Sequence, residues 1–256
     1  MKARAAMAGL LALVLAVPAA APAADPAPIR VFAAASLADA FRALAAEVEK
    51  TGLRVELNLA GTQVLRTQIE QGAPADVYAF ADLEDAEELA ARGHVQPPRV
   101  FARNVLCVVT PAGRPRVNAL AELARPGVKV VLAAPTVPAG RYALEALDKL
   151  EKSGGLGAGY KARVQANVVS QEANVRQVLA KVALGEADAG FVYVTDAVSQ
   201  ARVKALPIPE PSNVVALYGI GLVRAGASAE ARAFVQAVLG AAGRRALQAQ
   251  GFRLPE

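Results

Sequence analysis

Four short stretches put a small or hydroxyl residue where a helix should begin: Ala33-Ala34-Ala35-Ser36-Leu37, Gly61-Thr62-Gln63, Val137-Pro138-Ala139-Gly140 and Ala173-Asn174-Val175-Arg176. A fifth, Gly190-Phe191-Val192-Tyr193-Val194-Thr195-Asp196, offers a phenol at the end of a strand. The first turn of a helix exposes backbone N–H groups that have no partner inside the helix and lie at the positive end of its dipole. Brought together, such helix starts bind an anion without any charged side chain. The chemistry indicated is therefore hydrogen-bonded capture of an anion.

Other chemistry has little to work with. His94 is the sole histidine and follows Gly93 just after a helix, where it reads as decoration of the helix end. Cys107 is the sole cysteine, set in the apolar run Val105-Leu106-Cys107-Val108-Val109, where it reads as a small buried hydrophobe. Without further histidines or cysteines, metal-ligand clusters of the usual type are not expected. Gly155-x-Gly157-x-Gly159 superficially resembles a nucleotide loop, but it follows a helix and reads as a connector. A secreted hydrolase is the main reading from another class. The chain lacks Gly-x-Ser-x-Gly, His-Glu-x-x-His and any phosphate loop, so no enzyme activity and no cofactor are expected.

In order and spacing, the five stretches resemble the ligand signature of periplasmic molybdate-binding proteins, the receptor subunits of molybdate ABC importers. The resemblance runs from about Ile29 to the C-terminus. It implies the type II periplasmic binding-protein fold and a molybdate or tungstate ligand. It further implies contacts from the hydroxyl and backbone of Ser36, the hydroxyl of Thr62, the backbone N–H groups at Ala139 and Val175, and the phenol of Tyr193. Molybdenum would be held as its oxyanion through these residues, with no direct cation ligand. An inner-membrane ABC permease is the implied partner. The chain departs from the family pattern at Thr62-Gln63, where paired serines are common, and at Ala134-Pro135, where an Asp-Pro step is common. These departures bear on selectivity between oxyanions, with sulfate as the alternative ligand. Arg141 and Arg176 follow the contact positions and are expected to point along their own helices.

The elements that must position these residues alternate. Strands are expected at Ile29–Ala34, Leu53–Leu59 and Asp76–Phe80. Helices are expected from Ser36, with Asp39 completing a capping box, over Thr62–Gln71, and over Leu83–Arg92 behind the cap Asp82. After Gln96-Pro97-Pro98-Arg99 the pattern resumes with strand Asn104–Thr110, strand Val128–Ala133 and helix Arg141–Leu150. Strand Arg163–Val169, helix Val175–Leu184 and strand Gly190–Val194 follow. Beyond the turn-rich Pro207–Ser212 come strand Val214–Val223 and a terminal helix Ala229–Gln250. Such alternation marks an α/β protein with a parallel or mostly parallel sheet.

The chain thus leaves a first domain, builds a second and returns: residues 25–103 plus 208–256 form domain I and residues 104–207 domain II. Two crossovers make a two-lobed α/β architecture with a hinge and a cleft between the lobes. Residues 1–24 have the layout of a secretory signal peptide: Lys2 and Arg4, the uncharged run Ala5–Val17, then Ala21-Pro22-Ala23-Ala24. That run is shorter than the roughly 20 residues a membrane span needs, so cleavage and a free periplasmic protein are expected. The net charge of +5 is interspersed, with no basic run. Nucleic acid is not an expected partner. A monomer is expected.

Overall fold

The computed structural model describes residues 27–153, 155–224 and 227–255. The signal peptide read at residues 1–24 lies outside them. Strand β1 (Ile29–Ala34) is apolar and nearly all buried, and it ends in a 3₁₀ turn, Ala35–Leu37, before α1 (Ala38–Val48). The helix therefore starts after Ser36. Neither end of that turn is capped by a side chain, and the expected Ser36–Asp39 capping box does not form: Ser36 is buried against Tyr218 and Asp39 pairs with Arg176. Next come β2 (Val55–Ala60), α2 (Thr62–Glu70), β3 (Val77–Phe80) and α3 (Leu83–Ala91). Asp82 caps α3 as read, its carboxylate accepting the Asp85 N–H at 3.1 Å.

Strand β4 (Arg99–Pro111) begins immediately after Pro97-Pro98, earlier than the expected Asn104. Its course carries the architecture. From Arg99 to Val105 it pairs antiparallel with a late strand, Val215–Leu222; from Leu106 to Val109 it pairs with Ala189–Tyr193, and from Cys107 to Pro111 with Val203–Pro207. One strand therefore serves both halves of the molecule. The second half contains β5 (Val130–Ala133), α4 (Pro138–Lys152), α5 (Tyr160–Ala166), β6 (Val168–Glu172) and α6 (Val175–Ala183). It continues through β7 (Ala189–Tyr193), α7 (Val194–Val198) and β8 (Val203–Pro207). The chain returns as β9 (Val215–Leu222), α8 (Ala229–Leu239) and α9 (Ala241–Ala249).

Three expectations are corrected. The strand expected at Arg163–Val169 is helix α5 followed by β6. Residues 162–168 alternate apolar and polar, but Tyr160 and Val164, four apart, are the pair that is buried. The carboxylate of Glu151 accepts the N–H groups of Gly159 at 3.1 Å and Lys161 at 2.8 Å, which settles the donors at the helix start. The terminal helix is two, broken where Gly240 takes an extended conformation. The sheet is mixed, in the order β2-β1-β3-β9-β4-β7-β5-β6 with β8 beside β4. Pairs among β1, β2 and β3 and among β5, β6 and β7 are parallel, whereas every pair involving β4 or β9 is antiparallel. The crossover strands, returning between halves, run against their neighbours.

The core is continuous through the crossover. Phe41 of α1 meets Phe101 of β4 and Phe234 of α8 at ring distances of 6.0 and 6.1 Å, so the C-terminal helices cover the first half. Each such ring, buried, stabilises by roughly 1.5–3 kcal/mol. Cys107 is buried as read, and burial pushes its thiol up to about 12, which leaves it unreactive.

In the second half, α4 lies so close to the end of β5 that a side chain at Gly140 has no room. An added Cβ would sit 2.2 Å from the Ala134 carbonyl oxygen and 2.4 Å from that of Ala133. Gly140→Ala gains about 1 kcal/mol of helix propensity but forces two backbones apart. A net loss of about 1–3 kcal/mol is expected, read as a lower midpoint in denaturant unfolding; an unchanged or higher midpoint would show that α4 can shift freely.

Candidate functional site

Ser36, Thr62, Ala139, Val175 and Tyr193 line one cavity, and all five are buried. Each lies where a strand has just ended. Ser36 sits in the turn after β1, Thr62 opens α2 behind Gly61, Ala139 follows Pro138 at the start of α4, Val175 opens α6, and Tyr193 ends β7. In open α/β sheets this carboxyl edge is where ligands sit. The cavity measures about 20 Å³, a little more than the roughly 10–15 Å³ that a single water needs on that scale.

The polar groups on its wall are arranged to give protons. The Ala81 N–H donates to Thr62 Oγ1 at 3.2 Å, so the threonine oxygen is already an acceptor and its proton is free for a ligand. Ser36 Oγ lies 3.0 Å from the hydroxyl of Tyr218. Tyr193 Oη is buried with no hydrogen-bond partner among the described residues. Burial raises that phenol well above its ordinary value, so it stays protonated. A buried hydroxyl without a partner is costly, and a ligand in the cavity would satisfy it. Behind α6, Asn174 Oδ1 accepts the Gln177 N–H at 3.1 Å, which caps the third N–H of the helix and leaves those before it to face outward.

No lysine or arginine lines the cavity. Arg141 and Arg176 do not run along their helices as expected; both reach across to the first half. Arg141 pairs with Asp82, which also accepts the Tyr142 hydroxyl at 2.6 Å, and Arg176 pairs with Asp39. Gln63 Nε2 donates to the Ala173 carbonyl at 2.9 Å, so this long amide serves the rim. Gly61 is a close approach between the halves: an added Cβ would stand 2.4 Å from the same Ala173 oxygen. These contacts bridge the two halves beside the cavity. Sequence reasoning missed the partners of the two arginines and the role of Tyr218. Among the described residues, no group of three His, Cys, Asp or Glu side chains could hold a metal ion.

Beneath the rim, Asp196 is fully buried. Desolvation raises its carboxyl to about 7, against the opposing pull of Arg176, whose Nε is 3.0 Å from Asp196 Oδ1, and of the Tyr193 N–H at 3.3 Å. A carboxyl whose folded pKa is raised favours the fold when protonated. Its contribution is full below the unfolded value near 4 and is lost as pH rises through about 7. Asp196→Asn should therefore be more favourable to stability, relative to the parent, at pH 8 than at pH 5. Melting temperatures at the two values check this, and a parent–variant difference independent of pH would contradict it.

The sequence model of bacterial extracellular solute-binding proteins matches residues 29–253. The molybdate-binding protein ModA of Mycobacterium tuberculosis is 40% identical over 233 residues, covering 89% of this chain and 85% of the relative. The solved structure of the Azotobacter vinelandii periplasmic molybdate-binding protein superposes with a TM-score of 0.77 at 24% identity, covering 89% of this chain and 100% of that one. The sulfate-binding protein SubI of Mycobacterium tuberculosis superposes with a TM-score of 0.77 at 19% identity, covering 90% and 87%. At such identities the structural likenesses speak for the fold, which is that of the type II periplasmic binding proteins. With most of its length matched, the chain belongs to the bacterial extracellular solute-binding protein family.

Proposed function

We propose that this chain is an exported receptor that captures molybdate or tungstate in the cavity between its halves and delivers it to an inner-membrane ABC permease. The observation that carries the reading is the convergence of three hydroxyls and two helix starts on one compact cavity without a basic side chain. A tetrahedral dianion needs donors only, and each hydrogen bond to an ionised partner is worth roughly 1.5–3 kcal/mol. Four or five such bonds therefore offset the loss of hydration without a countercharge. The relatives named for molybdate binding support the choice of ligand. Sulfate is smaller than molybdate and would leave donors at longer range. The role in this reading is binding and transport, as the match to solute-binding proteins supports.

Two lobes, residues 25–103 plus 208–256 and residues 104–207, move about the crossover strands in this reading. The change of β4 partner between Val105 and Leu106 supports a hinge there. Ser36 and Thr62 belong to the first lobe and Ala139, Val175 and Tyr193 to the second, so an anion is enclosed only when the lobes close. The leader pattern of residues 1–24 supports a periplasmic location. The interspersed charge supports a receptor that acts without nucleic acid, and in this reading it acts as a monomer.

Calorimetric titration with molybdate, tungstate, sulfate and phosphate tests the reading. One site per chain is expected, with molybdate and tungstate bound much more tightly than sulfate and raising the melting temperature as they exceed their dissociation constants. Equal binding of sulfate, or no binding of any oxyanion, would overturn it. Thr62→Val and Tyr193→Phe should each weaken molybdate by roughly 1–3 kcal/mol; parent-like titrations of both would remove them from the contact set. Gly61→Ala, which obstructs closure against Ala173, should weaken binding while leaving the unfolding midpoint within about 1 kcal/mol of the parent. Undiminished affinity in that variant would argue against closure as the binding step.

A further inference from the structure

We propose that Asn104 and Tyr218 are positioning residues that set the direction of the hydrogen bonds around the cavity, so that it presents protons only and rejects an oxyanion carrying a proton of its own. This rests on the oxyanion reading and adds to it a source of selectivity outside the cavity wall. Both residues are buried on the crossover strands, Asn104 on β4 opposite Ala216 and Tyr218 on β9 opposite Ala102. The orientation of the Asn104 amide follows from its partners. Its Oδ1 accepts the Val105 N–H at 3.0 Å, so its NH₂ group faces Thr195 Oγ1 at 2.8 Å and Tyr218 Oη at 3.5 Å.

An amide N–H can only donate. The Tyr218 oxygen therefore accepts from Asn104, and its own proton goes to Ser36 Oγ, 3.0 Å away. Ser36 is then an acceptor on its protein side, and its remaining proton turns to the cavity. The opposite polarity, with Ser36 donating to Tyr218, would turn the Ser36 proton away from the cavity. Thr62 is set in the same way by the Ala81 N–H. The nearby carboxylates are also engaged: Asp82 by Arg141 and Tyr142, Asp39 by Arg176, and Asp196 by the Tyr193 N–H and Arg176. No carboxylate stands on the cavity wall to take a proton from a bound anion. Molybdate, fully deprotonated, needs donors only, whereas hydrogen phosphate would have no carboxylate there to receive its own proton.

Two substitutions reverse or release the polarity. Asn104→Asp replaces the donating NH₂ by an acceptor, so Tyr218 donates to residue 104 and Ser36 turns its lone pairs to the cavity. Tyr218→Phe keeps the ring, which packs edge-on against Phe101 and Phe252, and removes only the hydroxyl. Calorimetry of the parent and both variants with molybdate and with inorganic phosphate at pH 8 separates polarity from structure. The expected result is a roughly tenfold loss of molybdate affinity, about one hydrogen bond to an ion, with phosphate affinity unchanged or increased. An equal loss for both anions, or none for either, in the variants that fold would overturn the proposal while leaving the receptor reading intact. A parent protein that binds neither anion would instead overturn the reading on which it rests.

Discussion

An ion moved out of water into a cavity without a lysine or arginine on its wall must recover its hydration from neutral donors, and every donor must already have its own acceptor side satisfied. That condition governs the arrangement around Ser36 and Thr62. It explains why the cavity lies at the carboxyl edge of the sheet, where β1, β2, β5, β6 and β7 all stop and the first turns of α2, α4 and α6 begin. It also explains why the layer behind the wall is polar in the midst of a core. The Ala81 N–H, Tyr218 and Asn104 hold the hydroxyl oxygens so that their protons are left over.

The rim answers a different electrostatic problem. Arg141 and Arg176 stand in the first turns of α4 and α6, where a cation opposes the helix dipole. Their carboxylate partners, Asp82 and Asp39, come from the other half of the molecule. The pairing keeps both guanidinium groups off the cavity and joins the halves around it. Such partly exposed pairs are worth little as stability, typically 0–1 kcal/mol each. In the proposed two-lobe motion, these weak pairs are the contacts that break as the cleft opens. The tight approach of Gly61 to the Ala173 oxygen belongs to the same rim, and it is steric.

Much of the fold was legible because its signals are local. Asp82 with Asp85 three residues on marked the start of α3, and Gly72 and Gly93, both at positive φ, marked the ends of α2 and α3. The five positions singled out by spacing line a single cavity, since each is a strand-to-helix junction and junctions share one edge of the sheet. Long-range direction was not legible. An arginine in a first turn looks the same whether it lies along its helix or crosses a cleft, and Ser36 looks like a cap until Tyr218, 182 residues away, is seen to hold it. The apolar–polar alternation of residues 162–168 fitted strand and helix alike, and the carboxylate that decides for helix comes from Glu151 in the preceding element. Asn104 and Tyr218 read as ordinary residues of apolar strands.

The central claim is that one anion sits among Ser36, Thr62, Ala139, Val175 and Tyr193, held by their protons alone. Tungstate tests it directly, because tungsten scatters X-rays anomalously and its position can be read from a crystal of the full chain without assumptions about the surrounding protein. The account requires one strong anomalous peak in the cavity, with oxygens within hydrogen-bond distance of the three hydroxyls and no lysine or arginine side chain in contact. A peak on the rim beside Arg141 or Arg176, or an empty cavity at saturating tungstate, would contradict it.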